Sequence, residues 1–503
     1  MVKNVVVLGA AYAGARSAKL LARSLPDSHR VVVIDKNSHF NHLYLFPRYG
    51  VLPGHAVKAF VPDGNMFTSF AFGWPTPPSV LAGHEHTDPA HAPVAIHAKA
   101  VGITEHWIEL DAPVAFGTGG NTTIKVVPTN GAPQEVHEVE GLTMAREFPN
   151  DEAATRRIKW DYIIFGTGCE MPRALTMDAR EKKTGAEYLE NQCRVISRAH
   201  KILVAGGGAL GVQYATDIAD LYNNPDNEAL RPPGSHVPKD ITIVSSRQFL
   251  PLYKRELHEA VLRRMEALHV NVVLNDRVEM PSDDMLHKLE NNANERNTTT
   301  VRTTKGKEFE VDLVLGCTGQ RPNSTLLSEW APESLTEAGY VKVDDALRVP
   351  GLPKGAQGRI FAIGDVADVP GIAKAGHVAW DMGTVAAENV CALIHRAMTS
   401  NETVVANGIA GHKTNGAQNG HANNVESHGK GQLKDDEERD LVRFDKHAPA
   451  IKVTLGFQHS ATENKKDKAD ADTRVYESED GVTEGHWEII WQARGADNSD
   501  PTK

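Results

Sequence analysis

Cysteine is scarce in this chain: four among 503 residues, at Cys169, Cys193, Cys317 and Cys391. The nearest pair is far too widely spaced for a CxxC motif, and so few thiols in so long a chain exclude a disulfide scaffold. They fit a reducing compartment. Positive charge is short as well. The net charge is −11, with no long Lys/Arg run, which argues against a nucleic-acid binder because phosphate recognition wants a basic face. Apolar residues never run to the roughly 18 needed to span a bilayer. No charged-then-apolar segment precedes Val5, and residue 2 is Val2, so neither a secretory leader nor N-myristoylation is expected. What remains is an ordinary globular composition, 41% hydrophobic and 24% charged, long enough for two or three domains. The expectation is a cytoplasmic protein, with peripheral contact to an intracellular membrane left open.

Three strand–glycine–helix units stand out. Val5–Leu8 runs into Gly9-Ala10-Ala11-Tyr12-Ala13-Gly14 and then a helical stretch through Leu20 and Leu21. Ile202–Val204 runs into Gly206-Gly207-Gly208-Ala209-Leu210-Gly211 and a helix through Ile218 and Leu221. Ile360–Ile363 runs into Gly364-Asp365, followed by a long helix from about Lys374 to Met398. β-Branched runs that end in glycine and feed an amphipathic helix predict an α/β fold with parallel sheets. Residues 94–160 differ: short alternating stretches such as Ile108–Leu110 and Thr123–Val127 predict an inserted antiparallel meander. Residues 399–440 are rich in Asn, Gly, His and Lys and nearly free of large apolar side chains, which predicts disorder. The expected division is 1–197 with 321–398, then 198–320, and a C-terminal remnant at 441–503.

Each glycine loop has a chemical reading. A dinucleotide's pyrophosphate must approach backbone N–H groups at a helix N-terminus, and side chains there would block it. In the first loop Gly9 makes the turn and Gly14 lets the helix pack on its strand, while Ala11 stands where a glycine is usual. A second strand, Val31–Ile34, delivers Asp35, whose carboxylate can accept from ribose hydroxyls. Ala10, Tyr12 and Ala13 complete the cradle. In the second loop Gly206, Gly208 and Gly211 match the full GxGxxG pattern. The strand Ile241–Val244 then ends in Ser245-Ser246-Arg247 without the usual acid. Serine hydroxyls and an arginine suit a 2′-phosphate, which favours NADPH over NADH; with Arg247 simply solvated, both would serve.

Four motifs in this order, the GxAxxG loop, Tyr162–Gly168, the GxGxxG loop and Phe361–Asp365, resemble the pyridine nucleotide-disulfide oxidoreductase superfamily. The segment Gly316–Asn323 resembles its TGxRPN return. Within the superfamily the chain looks nearest to the apoptosis-inducing-factor-like branch, with ferroptosis suppressor protein and type II NADH dehydrogenases as relatives. The resemblance covers residues 1 to about 395. It implies two Rossmann-like domains, for FAD and for NAD(P)H, plus a small α+β C-terminal domain. It also implies roles for residues: Gly168 in the FAD motif, Asp365 on the ribityl chain, Arg48 near the FAD phosphates, and Val101 offering its backbone to the adenine.

The departures narrow the chemistry. Asn41–Pro53 carries no cysteine pair, so dithiol reduction is not expected. Gln213 stands where quinone-reducing relatives often have glutamate, and the amide cannot shuttle a proton. The expected activity is an FAD-dependent NAD(P)H oxidoreductase passing electrons to a quinone or another small organic acceptor. A tailoring flavoenzyme acting on a specialised metabolite, and an NAD(P)H-sensing regulatory flavoprotein, are the alternatives. No catalytic residue is assigned. Gln213 and Glu170 are the polar groups expected near the flavin, unless both merely satisfy backbone. No metal site is expected: His84 and His86 flank a glutamate in a loop, and His412, His421 and His428 lack ligand spacing. A homodimer is possible in this class.

Overall fold

In the computed structural model, described residues are 2–62, 67, 92–114, 143–144, 155–291, 298–410, 441–446, 449–465, 472–479 and 482–502. In chain order, the first parallel sheet begins with β1 (Lys3–Leu8), helix α1 (Tyr12–Ser24), β2 (His29–Asp35), β3 (Val94–His97) and β4 (Tyr162–Phe165). Helix α2 (Lys182–Arg198) leads into the second sheet: β5 (Lys201–Ala205), α3 (Ala209–Asn223), β6 (Asp240–Ser245), β7 (Asn271–Leu274) and β8 (Leu313–Gly316). The chain then returns to β9 (Ile360–Ala362) and α4 (Gly376–Ala410), and ends with α5 (Trp487–Ala493).

The strand orders are those of two nucleotide-binding sheets. The first runs β9-β4-β1-β2-β3, with Thr143–Met144 added at the β3 edge; the second runs β7-β6-β5-β8. Every pair within each is parallel. Both faces of a parallel sheet are covered, so its strands read as unbroken apolar runs. Val5, Val6, Val7, Ile163, Ile164 and Phe361 are accordingly fully buried. In each sheet the glycine loop follows the central strand, β1 or β5, and the strand order reverses there. Ligands of open α/β sheets bind at such a switch point.

Three expectations need correction. Val94–His97 pairs in parallel with β2 and belongs to the main sheet, so among the described residues the antiparallel meander consists of Ala100–Ile103, Trp107–Val114 and Thr155–Lys159. A four-residue apolar alternation has no signature that tells a parallel edge strand from a meander strand. Residues 399–410 continue α4 rather than being disordered, because extending an existing helix needs no new nucleus. Residues 411–440 and Thr123–Val127, together with His84, His86, His412, His421 and His428, lie outside the described residues. Finally, the C-terminal sheet (Ile451–Thr454, Ser460–Asn464, Arg474–Ser478) and α5 do not have a core of their own. Val453, Phe457, Trp487 and Trp491 join one apolar cluster with Tyr49 and Phe60 from the first half and Ile243 from the second. Among the described residues, no helix is long and apolar enough to cross a membrane.

Candidate nucleotide sites

The first site forms where β1 meets α1. Gly9 turns the chain with φ +93°, a left-handed conformation that costs a side-chain-bearing residue. A Cβ at Gly14 would overlap the carbonyl oxygen of Gly9, and one at Gly383 would overlap that of Ala13. These two contacts let α1 approach both its own strand and α4, where Ser17 Oγ donates to Gly383 O at 2.9 Å. The N-terminus of α1 begins at Ala11, with no side-chain cap and no acid in its first turn. Helix ends of this kind usually carry Ser, Thr, Asp or Asn. An apolar start with free N–H groups fits a phosphate instead. Asp35 closes the cradle: Oδ2 accepts from Ala10 N at 2.5 Å and Oδ1 from Asn37 N at 2.7 Å. Burial raises its carboxyl pKa despite those N–H groups.

An aromatic cluster flanks this loop. Tyr12 packs edge-on against Phe40 and Tyr44, and its hydroxyl meets His42 Nδ1 at 2.9 Å. Burial, then the nearby Arg494, lowers the His42 pKa to about 4, so the ring is neutral. Tyr44 hydroxyl accepts from Gly376 N at 2.5 Å, at the start of α4. Arg494, from just past α5, donates through Nη2 to Ala10 O at 3.3 Å and lies 3.9 Å over the Phe40 ring. No sequence motif marked Arg494.

Asp365 sits in the turn between β9 and α4. Burial raises its pKa, opposed by Lys374 and by a hydrogen bond with Gln320. Cys169 thiol donates to Asp365 O at 3.3 Å. Burial, helped by Asp365, pushes that thiol up to about 12, so it stays protonated and is a poor nucleophile. Gly168 O accepts from Asn323 N at 3.0 Å, and Cys169–Glu170 pairs with Arg321–Pro322. The chain's return from the second sheet is thus stitched beside Asp365. Glu170 is exposed there. Val101 is the extra residue of a β-bulge, between the Ala100–Leu110 and Gly102–Glu109 pairs, and is 53% exposed. A bulged residue leaves its backbone outside the ladder.

Arg48, expected near the FAD phosphates, has its guanidinium buried against Asp217 of α3, with Nε–Oδ2 2.8 Å and Nη2–Oδ1 3.0 Å. It also donates to Gly456 O and Thr483 O, both at 2.8 Å. Both of its nitrogen edges are therefore committed to holding the two halves and the C-terminal sheet together.

The second site repeats the first at β5 and α3. A Cβ at Gly211 would overlap Gly206 O, the same constraint as at Gly14. Helix α3 starts at Gly208 without a side-chain cap. A Cβ on Gly208 would meet no protein atom within 4 Å. That glycine answers to nothing inside the protein, which suits the approach of a bound pyrophosphate. Ser245 is buried under Gly207, so its hydroxyl does not reach the open cleft; Ser246 and Arg247 are exposed. Arg247 lines a cleft of about 490 Å³ with Gln248, Pro251, His258, Leu274 and Asn275, beyond the ends of β6 and β7. Gln213, in the second turn of α3, donates to Thr454 Oγ1 at 3.0 Å. Among the described residues, no group of three potential ligands could hold a metal, and all four cysteines are free.

The family model "Pyridine nucleotide-disulphide oxidoreductase" matches residues 3–400. Fe-regulated protein 8 of Mycosarcoma maydis is 32% identical over 403 residues, which are 78% of this chain and 81% of that protein. Human ferroptosis suppressor protein 1 is 26% identical over 219 residues, 42% of this chain and 51% of that one, so the match spans about half of that relative. The solved structure of NDH2 from Plasmodium falciparum in complex with NADH superposes with a TM-score of 0.56 at 12% identity, covering 98% of this chain and 96% of that one. That last likeness is one of fold.

Proposed function

We propose that this chain, which belongs to the pyridine nucleotide-disulphide oxidoreductase family, is an FAD-dependent NAD(P)H oxidoreductase whose electron acceptor is a small organic molecule of quinone type. Bound FAD supplies the two-electron relay between nicotinamide and acceptor. The observation that carries the acceptor reading is the state of the thiols. Cys169, the one cysteine beside Asp365, is alone and protonated, and Cys193 and Cys317 are buried. No thiol pair stands ready to carry electrons onward, so the acceptor meets the flavin directly.

The chain's own residues then bind and orient. The α1 N-terminus, Asp35 and the Val101 backbone would hold the FAD adenosine and pyrophosphate. Asp365 and the start of α4 would face the ribityl chain and ring. Gly206–Gly211 and the α3 N-terminus would hold the NAD(P)H pyrophosphate, with Ser246 and Arg247 on a 2′-phosphate. Gln213, braced by Thr454, can donate a hydrogen bond to an acceptor carbonyl but holds no exchangeable acid proton.

The test is a visible spectrum of the purified protein, then anaerobic addition of NADPH and of NADH, then an acceptor screen. A flavin band that bleaches faster with NADPH and recovers on adding a quinone supports the reading. A flavin band that neither nucleotide bleaches overturns it. Rapid bleaching that no quinone reverses removes the quinone and leaves the tailoring flavoenzyme.

A further inference from the structure

Two negative charges of a pyrophosphate, added to a buried Asp35, need a counter-charge beyond a helix end. The first turn of α1 contains no basic residue, its sequence there being Tyr12-Ala13-Gly14-Ala15. Arg48 is spent on Asp217. Arg494 does reach the loop: it is only 8% exposed, with Nη2 on Ala10 O and its guanidinium over the Phe40 ring.

Arg494 is also held in place before any ligand arrives. Its backbone N–H bonds Ile490 O at 3.0 Å and Trp491 O at 3.1 Å, at the end of α5. Helix α5 is itself nailed down: Trp487 and Trp491 meet edge-to-face with centroids 5.7 Å apart, and Trp491 Nε1 donates to Lys58 O at 2.9 Å. A guanidinium fixed in this way loses little further freedom on binding, and planar recognition of phosphate oxygens is what that group does best.

We propose that Arg494, carried by the C-terminal helix across to the first glycine loop, is the cation that neutralises the FAD pyrophosphate. It takes the place that the family resemblance gave to Arg48. The inference rests on the first loop being the FAD site.

Apoprotein is titrated with FAD by quenching of flavin fluorescence, at low and at high NaCl, for the wild type, Arg494→Gln and Arg494→Lys, with melting of each apoprotein alongside. Loss of a charged hydrogen bond to phosphate predicts that Arg494→Gln raises the FAD Kd by about 10- to 100-fold at low salt. The salt dependence of Kd should flatten in Arg494→Gln, and Arg494→Lys should recover part of both affinity and salt dependence. Should Arg494→Gln also melt lower, the Lys variant and the salt response still separate charge from packing. Kd within about twofold of wild type overturns the proposal. So does a weakened Kd with unchanged salt dependence and no recovery by lysine. Wild-type apoprotein that takes up no FAD would instead overturn the cofactor reading beneath it.

Discussion

The two glycine loops share a backbone and differ in what surrounds them. The first is enclosed: Asp35 bonds its Ala10 N–H, three rings crowd Tyr12, and Arg494 reaches in from 484 positions away. The second is open: Gly208, Ser246 and Arg247 are exposed, and Arg247 lines a broad cleft. Enclosure slows dissociation, because many contacts must break before a ligand leaves. Openness permits exchange at every turnover. On the proposed assignment one motif serves a resident cofactor and a travelling substrate, and the distinction lies in the neighbours, not in the glycines.

The largest effect that would sharpen this contrast comes from paired substitutions. Gly14→Val drives a side chain into Gly9 O and should cost more than about 4 kcal/mol, giving no soluble FAD-bound protein. Gly208→Ala should leave the melting temperature nearly unchanged yet raise the KM for NADPH about tenfold. Equal behaviour of the two variants in expression and melting would erase the distinction.

Next comes the Arg48–Asp217 pair. Arg48→Met strands a buried carboxylate and should destabilise by about 3–5 kcal/mol, while the FAD content of the protein that folds stays near wild type. Loss of FAD without loss of stability would return Arg48 to the phosphates. Asp217→Asn combined with Arg48→Met should be less damaging than the sum of the two, as a double-mutant cycle would read.

Acid should act on the enclosed half. Burial lowers the pKa values of His29, His39 and His42 from 6.5 to about 4. The unfolded chain takes up these protons first as pH falls. The stability they contribute is therefore complete above about 6.5 and drains away toward about 4. Thermal melting across that window should show the decline, and His39→Phe, set against Phe60, should blunt it. A flat profile in the wild type would contradict the burial argument. The smallest effect concerns Arg247→Ala, which should weaken NADPH about tenfold and leave NADH unaltered. An equal loss for both would mean that Arg247 touches no 2′-phosphate.

Much of the scaffold was legible because parallel sheets write themselves as local patterns. Val5–Leu8 and Ile202–Val204 are apolar runs ended by glycine, and the turn chemistry of Gly9 and Gly206 follows from the residues alone. What stayed hidden was set by distance along the chain. Arg48 stands next to a plausible cofactor segment, yet its partner lies 169 positions away, and that partner decides where it points. Arg494 sits in a polar tail with no motif, and its importance depends on a contact spanning 484 positions. Ser245 read as a ligand by position in sequence, but the tight packing of Gly207 turned it inward.

The contact between Arg494 and Ala10 also bears on how the protein is made. The first loop leaves the ribosome early, and the residue that closes over it follows 484 positions later. At about 5–20 residues per second, that interval is roughly 25–100 s. A nascent chain therefore displays its first glycine loop without Arg494 for that whole time. On the proposed assignment, a cofactor caught in that interval lacks its counter-charge, and synthesis past Arg494 is the step that supplies it.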